Sequence, residues 1–445
     1  MKVNIRQLLV LLFMLCAAGT TRAQQAFSLE QAKAYAMNNS WTIRNASLDV
    51  ASARKKVWET ISTGLPQVSG SANYTNYLNL PVSLVPGEFF GGEPGTYMSV
   101  KFGQDYNADF GFKVDQLLFD GSYIVGIGSA KLYLQLATQT EEKNQIEISH
   151  AVEQAYYAVL IAKQNLDVMT ESLANNQKQQ SDTKAQYENG FVEEQDVDQM
   201  KLMVQQSENE ILRTEREIRV AEMVLKYTMG LDVNSSVELT DKLDTFLGQV
   251  LAAGDTGASF DYTAHIDYRM LDSQRQAQFK LLRLEQSAYL PRLSAFYNYS
   301  KMAYGDAWNL FKSNVSWFPS SMWGLNVSVP IFASGGRMAK VKQARFELEK
   351  AENNQRQAEQ TLAKDYLTAT ADMESAADQY QNSDDNKGLA RRIYEKTQIK
   401  YNNGLVSSAE LAVAESQFIT AQANWVSAAM QLFTAKINLD KALGK

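Results

Sequence analysis

The 445-residue sequence contains a single cysteine, Cys16, and it lies within the first 23 residues. Those residues have the plan of a signal peptide: Lys2 and Arg6 precede an apolar run, and Ala23 ends a plausible cleavage site. Removal of the segment would leave no thiol, which excludes disulfides and cysteine chemistry in the mature chain. A lipid anchor on Cys16 is the less favoured interpretation, because the large Leu15 stands where a small residue is expected.

The sequence is also poor in residues and motifs that mark enzymes and metal sites. Its two histidines, His150 and His265, are far apart and have no ligand spacing, so we expect neither a metal nor another cofactor. A Gly-x-Ser-x-Gly motif, a His-Glu-x-x-His motif and a phosphate-binding loop are all absent, which makes an enzyme the weakest hypothesis. The net charge of −7 argues against a nucleic-acid partner.

The sequence after residue 23 lacks long apolar runs, and its predicted long helices lack prolines. After residue 23, no stretch reaches 18 consecutive apolar residues, so we expect no transmembrane helix. An exported chain of this kind would be periplasmic, secreted, or an outer-membrane β-barrel. All seven prolines fall in or beside predicted strands and loops, which leaves several long stretches free to be helical.

An internal duplication organises the rest of the chain. The segment YENGFV at 187–192 returns as YNNGLV at 401–406, an offset of 214 residues, and a heptad repeat follows each copy. Asn-Gly supplies the positive φ of a tight turn between two helices. We therefore predict a first repeat over 24–230, a mixed α/β patch over 231–263 and a second repeat over 264–445. The heptad positions are Val197, Val204, Ile211, Ile218 and Leu225, then Leu411, Phe418, Trp425, Leu432 and Leu439.

Each repeat also contains two segments in which apolar and polar residues alternate, the pattern of strands with one apolar face. The cleanest runs from 105 to 115, where Phe110 and Phe112 share one face and Asp109 and Lys113 share the other. Aromatic residues near the strand ends favour a membrane barrel over a small soluble sheet, with the apolar face toward lipid and the polar face toward a wet lumen. Residues 79–103, rich in proline and glycine, are predicted to be a long loop.

The number of strands determines the predicted assembly. Four strands cannot close a barrel, and an open edge in lipid would leave backbone groups unpaired. Two chains would give a barrel filled by side chains, so a passage requires at least three. We predict a mixed α and β membrane protein: a trimeric 12-stranded β-barrel, with four strands per chain, continued by a long periplasmic α-helical barrel.

These features together resemble the TolC-type outer-membrane efflux proteins over nearly the whole mature chain. The resemblance rests on the duplication, the helix-to-strand joints Leu65-Pro66 and Leu290-Pro291, and the Tyr-x-x-Gly turns. It implies a homotrimer in the outer membrane, with helices projecting into the periplasm. It also implies an equatorial patch, which residues 231–263 would form, and two protein partners: a periplasmic adaptor and an inner-membrane efflux pump.

The resemblance also implies functional residues at the two turns. Adaptor docking carries over onto Gly190, Phe191, Val192, Gly404, Leu405 and Val406. A periplasmic gate carries over onto Tyr401, expected to bond Asp196, and onto Glu410 in an acidic ring. The family pattern has an arginine where this chain has Val406, so the gate lacks the contacts of that arginine. It also has a second acidic position where this chain has Val413, so the second acidic ring is missing. Asp196 and Glu410 have an alternative interpretation, as carboxylates that stabilise the first turn of a helix.

The predicted function is therefore that of an outer-membrane exit duct for small molecules in a tripartite efflux system. One alternative is an exit duct for type I polypeptide secretion, since a wide tube discriminates little between cargoes. A second alternative is a periplasmic coiled-coil scaffold without a pore, which would leave the four alternating strands unexplained.

Overall fold

The computed structural model describes residues 25–252, 260–312 and 315–445. The predicted signal peptide at 1–23, with Cys16, lies outside the described residues. The chain forms two compact units, and each takes residues from both predicted repeats. The first unit comprises the described residues of Met1–Asp49, Thr138–Leu271 and Asn354–Lys445, and the second comprises those of Val50–Ala137 and Asp272–Asn353.

Helices dominate the first unit, and the second combines a sheet with helical segments. The helices are α1 (Leu29–Asn39), α2 (Trp41–Ser62), α3 (Gly121–Glu188), α4 (Glu194–Met229), α5 (Leu243–Ala252), α6 (Ile266–Ser287), α7 (Gly336–Asn402) and α8 (Ser408–Ala442). The strands are β1 (Gln25–Phe27), β2 (Gln67–Asn76), β3 (Val82–Pro86), β4 (Tyr97–Lys101), β5 (Tyr106–Asp120), β6 (Val237–Leu239), β7 (Arg292–Gly305) and β8 (Phe318–Ser328). Short 3-10 turns occur at Gly87–Phe90 and Tyr262–Ala264.

The second unit contains an antiparallel sheet of order β2-β5-β7-β8, which confirms the four predicted strands. Phe112 lies opposite Gly70 and Tyr299, and its ring centroid is 5.5 Å from that of Tyr299. On the other face, the Asn73 amide donates to Asp109 over 3.0 Å. The pleat thus gathers the predicted apolar side chains on one face and the polar ones on the other. That the apolar face meets lipid stays a prediction.

The predicted loop at 79–103 is wrong in one respect, because it contains a hairpin. Strands β3 and β4 pair in antiparallel fashion, and the Gly87 N–H donates to the Thr96 carbonyl over 2.7 Å at the turn. Pro86 ends β3, a position at which the missing N–H interrupts no ladder. The proline and glycine content led to a predicted loop that is too long, because these residues also occur at the ends of short strands, as Pro86 does here.

The four long helices follow the prediction closely. Helices α3 and α7 contain 68 and 67 residues without a break. Most heptad positions of α4 and α8 are buried, among them Val204, Ile218, Leu411 and Phe418. Within the ranges that the structure describes, none of the helices combines the length and apolar character of a membrane span.

The N-terminal helical segment is divided in two. Helix α1 begins with a capping box, in which the Ser28 and Gln31 side chains each accept the backbone N–H of the other residue. It ends at Asn39, and Ser40 separates it from α2. In the capping box, the Ser28 and Gln31 side chains each satisfy a backbone N–H at the start of α1 that would otherwise lack an acceptor.

The core of the first unit lies where the predicted α/β patch meets the helices. Strand β1 pairs in parallel with β6, and Leu243 and Leu247 of α5 are buried beside them. Burial alone would raise the pKa of Glu153, but hydrogen bonds from Lys33 at 2.8 Å and Lys436 at 2.7 Å lower it to about 2. Helices α1, α3 and α8 are therefore joined by a carboxylate that stays ionised at neutral pH. Strand β6 and helix α5 lie within residues 231–263, the range of the predicted mixed α/β patch.

Candidate functional site

Two nearly identical turns connect the long helices in pairs. Gly190 has φ 79° and Gly404 has φ 70°, both in the left-handed region that glycine adopts without strain. The N–H of each glycine donates over 2.8 Å, to Tyr187 and Tyr401 respectively, and the following N–H donates over 2.9 Å to the residue before that tyrosine. This pair of hydrogen bonds is the pattern that satisfies the last free carbonyls at the C-terminus of a helix. The duplication in sequence is thus a duplication in geometry.

We call Gly190, Phe191 and Val192 the first tip turn, and Gly404, Leu405 and Val406 the second. Phe191 is 80% exposed and Leu405 is 73% exposed. The two valines are half-buried, and Val406 packs against a cluster that contains Tyr401 and Leu411. The site where the resemblance led us to expect arginine is therefore part of an apolar contact. Each turn presents one large apolar side chain outward and directs the next inward.

Tyr401 is buried beneath the second tip turn, but its partner differs from the predicted one. Its hydroxyl lies 3.1 Å from Thr183 Oγ1, and the structure pairs it with this hydroxyl instead of with Asp196. Asp196 accepts the Glu193 N–H over 3.3 Å, as a first-turn carboxylate does where helical N–H groups are free. Burial raises the pKa of Tyr401, the hydrogen bond with Thr183 lowers it, and the negative charge of Asp196 raises it.

Glu410 lies in the first turn of α8 with its side chain exposed. Its backbone N–H donates to Ser407 Oγ over 3.2 Å, so Ser407 caps the helix. Val413, at the expected second acidic position, is 58% exposed. The structure pairs Tyr401 with Thr183 and Asp196 with the Glu193 N–H, and it leaves Glu410 on the surface of the single chain.

A set of buried polar residues on α3 escaped the sequence interpretation. Ser172, Asn176, Gln179 and Thr183, which we call the polar seam, follow Met169 at alternating spacings of three and four, and all are buried. This is a heptad pattern, but its members are polar, so a search for apolar periodicity passes over it. A second signal was available: Tyr394 and Tyr401 are seven residues apart, as are the seam residues that they contact, Asn176 and Thr183.

Asn176 connects all four long helices at one level. Its Oδ1 accepts the Tyr394 hydroxyl over 3.1 Å, and its Nδ2 donates to Ser207 over 2.9 Å and also to Glu415. Ser172 donates to the same Glu415 oxygen over 3.3 Å. Glu415 is only 3% exposed, and burial raises its pKa even though both hydrogen bonds act in the opposite direction.

The buried carboxyl of Glu415 should make stability depend on pH. Its pKa is raised in the folded state, so the stability that the protonated carboxyl contributes is fully present below the ordinary value of 4.5 and is lost as pH rises through the folded pKa. Glu415→Gln keeps an acceptor for Asn176 and Ser172 without a charge. We expect its melting temperature to match that of the wild type at pH 4 and to exceed it at pH 8. Glu410→Gln, at an exposed position, is the control, and equal pH profiles for wild type and Glu415→Gln would contradict the assignment.

With the fold and the tips described, the chain can be compared with known proteins. The family model of the outer membrane efflux proteins matches residues 34–231 and 267–445, and the chain belongs to this family. No curated protein matches significantly.

Solved structures share the fold at low sequence identity. The CusC transmembrane channel is 18% identical, with 94% of this chain and 92% of that chain covered and a TM-score of 0.71. The outer membrane protein VceC of Vibrio cholerae is 16% identical, with coverages of 94% and 96% and a TM-score of 0.68. The CmeC outer membrane channel of Campylobacter jejuni is 16% identical, with coverages of 94% and 85% and a TM-score of 0.70.

Family membership establishes the class of function. The protein is an outer-membrane efflux channel, and its helices extend into the periplasm. Channels of this family are homotrimers that work with a periplasmic adaptor and an inner-membrane pump. The protein is a transporter and not an enzyme.

Proposed function

We propose that this channel is the exit duct for small molecules that an inner-membrane pump delivers through a periplasmic adaptor, and that the adaptor docks on the two tip turns. The observation that carries the proposal is the pair of matching turns, each with an exposed large apolar residue. Single exposed apolar residues are common on proteins, but here the same feature recurs at both turns. Such a repeated surface suits a partner that binds two similar sites side by side.

The exposed side chains suit the energetics of docking. Phe191 and Leu405 are anchored by rigid turns, so little conformational entropy is lost when a partner covers them. The neighbouring Val406 packs against the cluster that contains Tyr401 and Leu411, and Val192 is half-buried. A central apolar residue in a docking site typically costs 2 kcal/mol or more when removed, about a 30-fold loss of affinity.

We also propose that the tips are the closed end of the resting channel, with Tyr401, Asp196 and Glu410 as restraints. The buried Tyr401 hydroxyl supports this role because it joins the end of α7 to the end of α3. Glu410 would act between chains, where three carboxylates near a common axis repel one another or bind a cation.

Docking on the tips predicts a sharp loss of transport without loss of assembly. We expect Leu405→Asp and Phe191→Asp to reduce efflux of ethidium to the level of cells without the channel, because a charge replaces the apolar anchor. Both residues are largely exposed, so the trimer should form in normal amounts. The measurements are ethidium accumulation and trimer yield in detergent.

Asn402→Asp is the matched control, because it adds the same charge beside the second tip turn at an exposed position without removing an apolar side chain. It should retain most of the efflux. Normal efflux in both tip variants would overturn the docking proposal. Normal drug efflux together with defective export of a polypeptide would instead favour the secretion alternative.

A further inference from the structure

The described residues of the connection between β7 and β8, 306–312 and 315–317, lie on the apolar face of the sheet, and we call them the β7–β8 connection. Leu310 of this connection is 1% exposed and forms a cluster with Ala108 and Ala303, which are 3% and 0% exposed. These two alanines are partners in the β5–β7 ladder, and Ala108 shares the face of Phe110 and Phe112. A loop residue is thus buried against the face that is exposed over the rest of the sheet.

Aromatic side chains hold the same connection against this face. The ring centroid of Trp308 is 4.2 Å from that of Tyr74, and the centroid of Trp317 is 5.0 Å from that of Phe110. Phe311 stacks toward Tyr74 at 6.3 Å. These contacts fix the position of the connection while leaving Trp308 71% and Phe311 73% exposed. Two large aromatic residues therefore project outward from an already apolar surface.

Basic residues accompany the aromatic ones. Lys301 lies on the apolar face opposite Phe110, and Lys312 is exposed beside Phe311. Among the described residues, neither lysine forms an ion pair. Tryptophan and lysine at the rim of an apolar surface are typical of the boundary between acyl chains and headgroups, where an apolar ring or stem is buried and the polar end meets water or phosphate.

The position in the sheet identifies the end of the barrel concerned. Strands β5 and β8 run toward the long helices α3 and α7, so the β7–β8 connection lies at the opposite end of the sheet. For a channel whose helices are periplasmic, this end faces the exterior. The bilayer surface there is the outer leaflet.

We propose that the β7–β8 connection is a membrane anchor that lies outside the barrel wall and inserts Trp308 and Phe311 into the outer leaflet. The proposal rests on the assignment of the apolar face to lipid. Lipid is the occupant that fits this face, because the connection packs on Tyr74 and Phe110 and enlarges their apolar surface. The anchor would fix the height of the barrel in the membrane while its polar face remains free to line the passage.

Nitroxide labelling tests the position directly, since Cys16, within the predicted signal peptide, is the only cysteine in the sequence. Trp308→Cys and Phe311→Cys are labelled and reconstituted in lipid vesicles, and collisions with oxygen and with a water-soluble nickel chelate are measured. Phe112→Cys is the lipid reference and Ser71→Cys is the polar-face reference at the same depth. At positions 308 and 311 we expect the oxygen-to-nickel collision ratio of the lipid reference, several-fold above that of Ser71.

Two other collision results would overturn the anchor. High nickel collisions at both positions would place the connection in water, and low collisions with both reagents would place it against a neighbouring subunit. A polar environment at Phe112 itself would refute the assignment of the face, which is a separate failure. As a measurement without labels, brominated acyl chains should quench wild-type fluorescence more than that of Trp308→Phe, and equal quenching would contradict insertion.

Discussion

Phe112→Arg should prevent the channel from assembling in the outer membrane, whereas Ser71→Arg should leave assembly nearly intact. Phe112 lies near the middle of β5, and Ser71 lies opposite the adjacent Gly111, so the two positions have nearly the same depth but opposite faces. Arginine on the lipid face near the midplane costs about 2–4 kcal/mol, while a lumenal arginine remains in water. Three copies in a trimer multiply this cost. The measurement is the yield of heat-resistant trimer in outer-membrane fractions.

The pair of variants separates orientation from general damage. Ser71 is exposed on the face that also carries Asp109 and Lys113, so a long charged side chain has room there. Equal defects in the two variants would refute the assignment of faces. A defect in Ser71→Arg alone would reverse it.

Tyr401→Phe should increase the conductance of single channels in planar bilayers, but should not open them fully. The bond to Thr183 joins two uncharged groups and is worth about 1 kcal/mol, so three copies contribute about 3 kcal/mol if they add. Moving a gate from 1:99 to 99:1 requires about 5.5 kcal/mol. Loss of this bond should therefore leave the tips closed for part of the time, giving flickering and not a permanently open pore.

Thr183→Val is the matched variant, because it removes the other partner of the same bond. The double variant should show little more opening than either single one, as for two residues that share one interaction. Glu410→Ala should abolish block by periplasmic divalent cations without altering the Tyr401 effect. Identical conductance in the wild type and in all these variants would place the gate elsewhere and reduce Asp196 and Glu410 to their roles in the first helical turn.

The elements that sequence predicted best are those with long, regular periodicity. The four long helices and the four sheet strands each repeat one period over many residues, and the prolines stand outside the helices. The hairpin of β3 and β4 was missed because each strand has only five residues and lies among turn formers. A short strand forms because it pairs with a partner strand, and the residue pattern of the short strand alone does not reveal that pairing.

The site was predicted less completely than the fold. The tip turns followed from Asn-Gly and were found with their glycines in the left-handed region. The partner of Tyr401 was wrong because Asp196 and Thr183 are both compatible with the end of the helix, and only the packing of α3 against α7 selects Thr183. The hydrogen-bond network around Asn176 requires residues from four helices, and no local sequence pattern predicts such a tertiary contact.

The polar seam has a thermodynamic consequence for any motion that separates α3 from α7 and α8. Exposure of apolar surface raises heat capacity by about 0.45 cal/K/mol per Å², whereas exposure of polar surface lowers it by about 0.26. Along the seam, the newly wetted groups would be hydroxyls, amides and the Glu415 carboxyl, together with the apolar side chains beside them. The two contributions oppose each other, so the enthalpy of opening would change little with temperature. The balance between closed and open tips would then shift steadily on warming or cooling, without the curvature that apolar cores give to unfolding.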